Sequence, residues 1–203
     1  VLADGAVVAV KPQVVPQVCE VLGELGIGRI LSIAAGIRLQ TMEAKVPAST
    51  AVIRAMPNTP SLVGMGAAAI AGGAAATEAD LIWAEQILGA VGTVVRVTED
   101  QINAVTGLSG SGPAYVFLIA EALIDAGVLV GLSRDVAANL AIQTLRGSAE
   151  LLAAGTPPAE ARANVTSPGG TTAAGLRALE SAGVRAAIID AVVAAATRAG
   201  EMG

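Results

Sequence analysis

Between positions 167 and 172 the chain reads Ser-Pro-Gly-Gly-Thr-Thr, immediately ahead of a helical pattern over 173–179. Two consecutive glycines expose their N–H groups, and a helix N-terminus adds unpaired donors and a partial positive charge, so an anion is favoured there. Gly169, Gly170 and Thr171 can therefore hold a carboxylate through main-chain amides without any arginine, the helix field adding about 0.3–1 kcal/mol. Ser167 opens this segment, and Thr172 places a hydroxyl one residue beyond the cradle. The same residues also suit a plain helix cap with a glycine hinge.

Two further candidates stand at strand ends. Ala9, Val10, Lys11 and Pro12 close one β-branched run, and Ile33, Ala34, Ala35 and Gly36 close the next. Open α/β sheets bind ligands outside the carboxyl ends of their strands, so both segments qualify. Lys11 equally suits a solvated charge before a proline turn, and the small residues equally suit tight packing. Asn58, between Pro57 and Pro60, has the default role of a turn residue. Glu99 opens a helix, where an acid is favoured for dipole reasons alone. Ser109 and Ser111 precede an apolar helix as caps or pocket lining, and Tyr115 within that helix reads as core.

The missing residue types narrow the chemistry. The chain has no histidine and a single cysteine, Cys19. The usual general base, every Ser-His-Asp or Cys-His arrangement and a cysteine cluster for zinc are all excluded. If the chain is an enzyme, a bound cofactor carries the chemistry. Gly64-Met65-Gly66-Ala67-Ala68-Ala69 formally matches the dinucleotide fingerprint, but it follows a proline-containing loop and precedes a strand instead of a helix.

The elements that must position these residues change character near Thr98. Before it, strands over 6–10, 29–33, 50–54, 67–71 and 93–97 alternate with helices over 14–25, 39–45 and 78–88. Such alternation means a mostly parallel sheet with helices on its faces. Thr77 with Asp80 predicts a capped start for the third helix. After Thr98 the pattern is helical: Thr98-Glu99-Asp100-Gln101 is a capping box, Ser133 caps a helix over 134–152, and Thr156 caps the one that Pro157 and Pro158 begin. Five or six helices are expected. The stretch 115–130 is apolar on nearly every side, which predicts a partner subunit.

Composition excludes whole classes of function. A net charge of −5 and a pI near 4.7 leave no basic surface for nucleic acid. Mean hydropathy is +0.68, yet the uncharged stretches 55–77 and 101–120 are broken by proline and glycine, so neither reads as a continuous membrane helix. The excess is alanine and valine, with one Trp, one Tyr and one Phe, which implies helices packed through small residues. The first residues, 1–4, carry no basic leader and no initiating Met, which predicts further chain upstream.

Four segments together carry a family resemblance. Ala9-Val10-Lys11-Pro12, Arg54-Ala55-Met56-Pro57-Asn58-Thr59-Pro60, the run 104–115 with its Leu-Ser-Gly-Ser-Gly-Pro, and Asn164-Val165-Thr166-Ser167-Pro168-Gly169-Gly170-Thr171-Thr172 occur in the order found in pyrroline-5-carboxylate reductases. The resemblance runs the length of the chain, but the opening strand, glycine-rich turn, helix and second strand of that family are absent. It implies an α/β plus all-α architecture: a Rossmann-type NAD(P)-binding domain, N-terminally incomplete, over 1–98, then a helical dimerisation and substrate-binding domain over 99–203. It implies hydride transfer from NADPH or NADH to the C=N bond of 1-pyrroline-5-carboxylate, giving L-proline. Cofactor contacts fall on Ala9, Val10, Lys11, Pro12, Ile33, Ala34, Ala35 and Asn164. Substrate contacts fall on Glu99, Ser167, Gly169, Gly170, Thr171 and Thr172, with Thr172 the residue that bonds the ring nitrogen. The resemblance further implies a cytoplasmic homodimer, in a ring of dimers such as a decamer, with no nucleic-acid or membrane partner. A related imine or hydroxyacid reductase would share the two-domain plan, and a non-catalytic dimeric helical module would share the second domain.

Overall fold

The computed structural model describes residues 3–202; Val1 and Leu2 of the opening stretch and Gly203 lie outside the described residues. The chain forms two compact units, one of Val1–Pro113 with Ala191–Gly203 and one of Ala114–Asp190. Compactness therefore does not divide the chain at 98/99. The turn Glu99–Gln101 and helix α4 (Ile102–Val105) pack on the sheet, where Ile102 is fully buried in the same cluster as Val8 and Val52.

The first unit is built on a five-stranded sheet: β1 (Gly5–Val8), β2 (Arg29–Ser32), β3 (Ala51–Met56), β4 (Gly66–Gly72) and β5 (Gly92–Arg96), in that spatial order. All neighbours are parallel except β3 and β4. Consecutive residues of a strand face opposite ways, so a sheet covered on both faces needs unbroken apolar runs. Ile30 and Val52 face one cluster with Val15 and Cys19 of α1 (Val15–Glu24) and Met42 of α2 (Leu39–Glu43). Leu31 and Ile53 face the other, with Ala84 and Leu88 of α3 (Glu78–Gly89). The expected cap forms: the Thr77 N–H and hydroxyl donate to Asp80 at 2.9 and 2.6 Å, and these bonds hold the Asp80 carboxyl below its usual range. Gly26 follows α1 with φ +71°, the left-handed conformation in which glycine commonly ends a helix.

One expectation about the helices is overturned. The glycine-rich segment before Pro113 does not break the helical path. Residues 106–110 form a π-turn, in which the Ser111 N–H donates to the Thr106 carbonyl at 2.8 Å, and α5 (Gly112–Leu129) follows at once. Pro113 falls in the first turn of α5, where its missing N–H costs nothing. The run 99–129 is consequently long and apolar enough to cross a membrane by length and composition.

Gly107 shows why the turn is glycine-rich. A Cβ there would stand 2.5 Å from the Val192 carbonyl and 2.9 Å from the Ala196 nitrogen, both in α9 (Val184–Met202). Gly107→Ala must push the two backbones apart, at about 1–3 kcal/mol. The expected result is a melting temperature lower by about 2–10 °C, readable by calorimetry; an unchanged value would mean the crossing is looser than described.

The second unit is helical, with the remainder of α5, α6 (Arg134–Ala153), α7 (Pro158–Asn164), α8 (Thr171–Ser181) and the start of α9. The Ser133 hydroxyl caps α6 by accepting from the Val136 N–H. Thr156 does not cap α7: the N-cap is Pro157, without a side-chain bond, because Pro158 already occupies the first helical position. Small-residue packing is seen where Gly127 of α5 meets Ala137 of α6. No residue of α5 is buried within one chain.

Candidate functional site

β1 and β2 run parallel with Val8 opposite Ser32, so the two strands end side by side. Residues 9–12 leave β1 exposed except for half-buried Pro12, and Lys11 ends the segment by accepting the Val14 N–H at 2.9 Å. Residues 33–36 leave β2 beside them. The Ile33 N–H still donates to the Val8 carbonyl at 3.1 Å, Ala34 is buried, and Gly36 turns the chain with φ +76°. The structure thus brings Ala9, Val10, Lys11 and Pro12 together with Ile33, Ala34 and Ala35 at one sheet edge. Cys19 lies fully buried in the core, where burial pushes its thiol up, so it offers no thiolate.

Behind this edge lies a polar junction whose central residue the sequence pattern also marked. Arg54 sits in the middle of β3 with 6% of its side chain exposed, and its guanidinium donates to Glu99 Oε1 at 3.2 Å. The same oxygen accepts the Leu39 N–H at 2.6 Å. An arginine inside the otherwise apolar strand Ala51–Met56 demands a buried partner, because an unpaired charge there is costly. Arg54 also lines a cavity of about 210 Å³ together with Ala35, Gly36, Thr106 and Ser111. A larger cavity of about 440 Å³, in the second unit, is lined mainly by Leu176, Leu179, Ile188 and Ile189, and none of the candidate residues reaches it.

Asn58 is more than a turn residue. Its Nδ2 donates to the Ser109 carbonyl at 3.0 Å and its Oδ1 accepts the Ala67 N–H at 2.8 Å, tying the loop after β3 to the π-turn and to the start of β4. Ser109 is turned inward along its own helix, bonding the Val105 carbonyl. Gly64 ends a 3-10 turn and Gly66 begins β4, so the formal fingerprint match is a turn entering a strand.

In the second unit, Ser167 to Gly170 form a tight turn: the Gly170 N–H donates to the Ser167 carbonyl at 3.1 Å, with Pro168 second and Gly169 third at φ +70°. This is the type II pattern, which needs glycine at its third position. Gly170 is the N-cap of α8 and no side chain caps it. The first backbone bond of α8 reaches only from the Ala174 N–H to the Gly170 carbonyl, at 3.2 Å. The Thr171, Thr172 and Ala173 amides thus precede the helical ladder, as an anion cradle requires. Asn164, at the end of α7, is exposed in the same unit.

This arrangement, a dinucleotide-type sheet edge and an uncapped helix start in a helical unit, has close counterparts. The family model for pyrroline-5-carboxylate reductase dimerisation matches residues 99–202. A pyrroline-5-carboxylate reductase of Synechocystis is 50% identical over 204 residues, which are 100% of this chain and 76% of that protein. The chain belongs to the pyrroline-5-carboxylate reductase family. A solved structure of the reductase from Coxiella burnetii superposes with TM-score 0.94 at 40% identity, covering 100% of this chain and 77% of that one. The reductase from Plasmodium falciparum, solved with NADP bound, gives 0.89 at 35% identity, covering 99% and 78%. Reductases of this family are NAD(P)-dependent oxidoreductases, and the fold here is theirs: a Rossmann-type sheet with a helical dimerisation domain.

Proposed function

We propose that this chain reduces the C=N bond of 1-pyrroline-5-carboxylate to L-proline with a hydride from NADPH or NADH, acting in the cytoplasm as a homodimer. The observation that carries the reading is the uncapped start of α8 behind the Ser-Pro-Gly-Gly turn, an anion cradle in a chain of this family. Rings of dimers such as a decamer rest on the family resemblance alone.

The sheet edge suits a nicotinamide cofactor. Residues 9–11 are exposed, and Ala35 and Gly36, beside buried Ala34, offer a face with no side chain beyond Cβ. We assign cofactor contact to Ala9, Val10, Lys11, Pro12, Ile33, Ala34 and Ala35; the cofactor role of Asn164 rests on the family resemblance alone. Bound there, the cofactor supplies the hydride. The chain's own residues supply position: the amides of Gly169 and Thr171, beside Ser167, hold the substrate carboxylate, while the Gly170 amide, expected to join them, is spent on the Ser167 carbonyl that closes the turn, and the Thr172 hydroxyl bonds the ring nitrogen. An imine of this kind arrives partly protonated, so orientation of its carbon against the hydride donor provides most of the acceleration. No histidine or metal is required by this scheme.

The test is the loss of NADPH absorbance with pyrroline-5-carboxylate against a panel of other cyclic imines and 2-ketoacids. Turnover on pyrroline-5-carboxylate at a kcat/KM at least about tenfold above every other compound, a preference worth about 1.4 kcal/mol, is expected. Faster reduction of a ketoacid would replace the reading with that of a hydroxyacid enzyme.

A further inference from the structure

We infer that Glu99 is a positioning residue for the nicotinamide loop, setting the enzyme's affinity for cofactor and not its affinity for the imine. The inference deepens the proposal above, since it takes residues 33–35 as cofactor contacts. That loop leaves β2 after Ser32, and Ser32 is paired in register with Arg54 of β3. It ends at Leu39, the first residue of α2. Glu99 Oε1 accepts from the Leu39 N–H at 2.6 Å and from Arg54 Nη1 at 3.2 Å. One oxygen therefore ties the exit of the loop to the strand that borders its entry, from a position 60 residues away in sequence.

Arg38, the N-cap of α2, makes no side-chain cap bond, so the Leu39 amide depends on Glu99. The Arg54 side chain is 6% exposed and that of Glu99 30%, so water screens the pair little. The clasp is itself fixed by the Thr98–Gln101 capping box on either side of Glu99. Arg54 completes the path by lining the same cavity as Ala35 and Gly36. Loss of the carboxylate frees the loop at one end while leaving its contacts with Val8 and Ser32 at the other. The cofactor must then order a loop that the wild-type chain holds ready, and binding weakens by that cost.

The experiment measures KM for NADPH and for pyrroline-5-carboxylate, and NADPH affinity by fluorescence titration, in the full chain carrying Glu99→Gln or Glu99→Ala. The amide of Glu99→Gln can still accept from Leu39 but loses the charge facing Arg54, so it preserves the fold where Glu99→Ala endangers it. We expect Glu99→Ala to raise the NADPH KM and Kd about tenfold, Glu99→Gln to fall between it and wild type, and both to leave the imine KM within about twofold. A raised imine KM with unchanged NADPH affinity would make Glu99 a substrate contact and overturn the inference. So would a lowered melting temperature with both constants unchanged, which would make the clasp purely structural. A wild-type chain that binds NADPH but does not reduce the imine would refute the proposed reaction, and the titration would still decide the role of Glu99.

Discussion

Leu118→Glu is expected to abolish the dimer. In one chain no residue of α5 is fully buried: Phe117 is 61% exposed and Leu118 66%, on a helix that is apolar on nearly every side. A monomer does not leave so much contiguous apolar surface in water, and residues 99–202 match a dimerisation domain. Placing a carboxylate at position 118 buries an uncompensated charge in each copy, at about 3–5 kcal/mol, or roughly 100- to 4,000-fold in the dissociation constant per copy. Sedimentation should show monomer or aggregate and little activity. Ile82→Glu is the control. Ile82 is also exposed but lies on α3 in the sheet unit, so its replacement should leave the mass of the assembly unchanged. A folded, active Leu118→Glu monomer would mean that α5 is not the dimer core and that the run 99–129 has another use.

The same helix marks the limit of what periodicity reveals. Its apolar surround announced a partner, because no single chain of this length could cover it. Its beginning is hidden from the sequence: Gly107, Gly110, Gly112 and Pro113 look like a break to any propensity scale. The break is absent for reasons that belong to single residues. Gly107 admits the backbone of α9, and Pro113 stands where no N–H is needed. The five strands were legible because a sheet covered on both faces imposes continuous apolar runs at Ile30–Leu31 and Val52–Ile53. Thr77 and Thr98 were legible because their partners lie three residues away.

The candidate site divides the same way. The turn 167–170 could be read from Pro and Gly alone, since its conformation is local. The junction of Glu99, Arg54 and Leu39 could not, because its bonds span 45 and 60 residues and one donor is a backbone amide. The charge of Arg54 within an otherwise apolar strand demands a partner but does not name it. Asn58 likewise reads as a turn former until its two bonds, to Ser109 and Ala67, are seen to join three segments.

Thr172→Val is expected to lower kcat/KM for the imine by about 10- to 150-fold with little effect on stability. The substitution keeps the branched shape and removes the hydroxyl. If that hydroxyl bonds the charged ring nitrogen, its loss costs about 1.5–3 kcal/mol in the transition state. Thr172 is the second residue of α8 and Gly170 is its N-cap, without a side-chain bond, so the hydroxyl caps nothing there. Valine and threonine have similar helix propensities, which leaves the fold nearly indifferent to the exchange. Thr172→Ser returns the donor and acceptor and should recover much of the rate. Gly170→Ala separates the two halves of the cradle: a methyl group at the half-buried N-cap runs into the Ser167 hydroxyl and displaces it from the cradle, raising the substrate KM while sparing cofactor affinity. Steady-state kinetics with each ligand varied in turn, beside thermal melts, distinguish these outcomes. A Thr172→Val enzyme with wild-type kinetics and a melting temperature several degrees lower would make residues 167–172 a structural cap, and the substrate would have to be placed elsewhere.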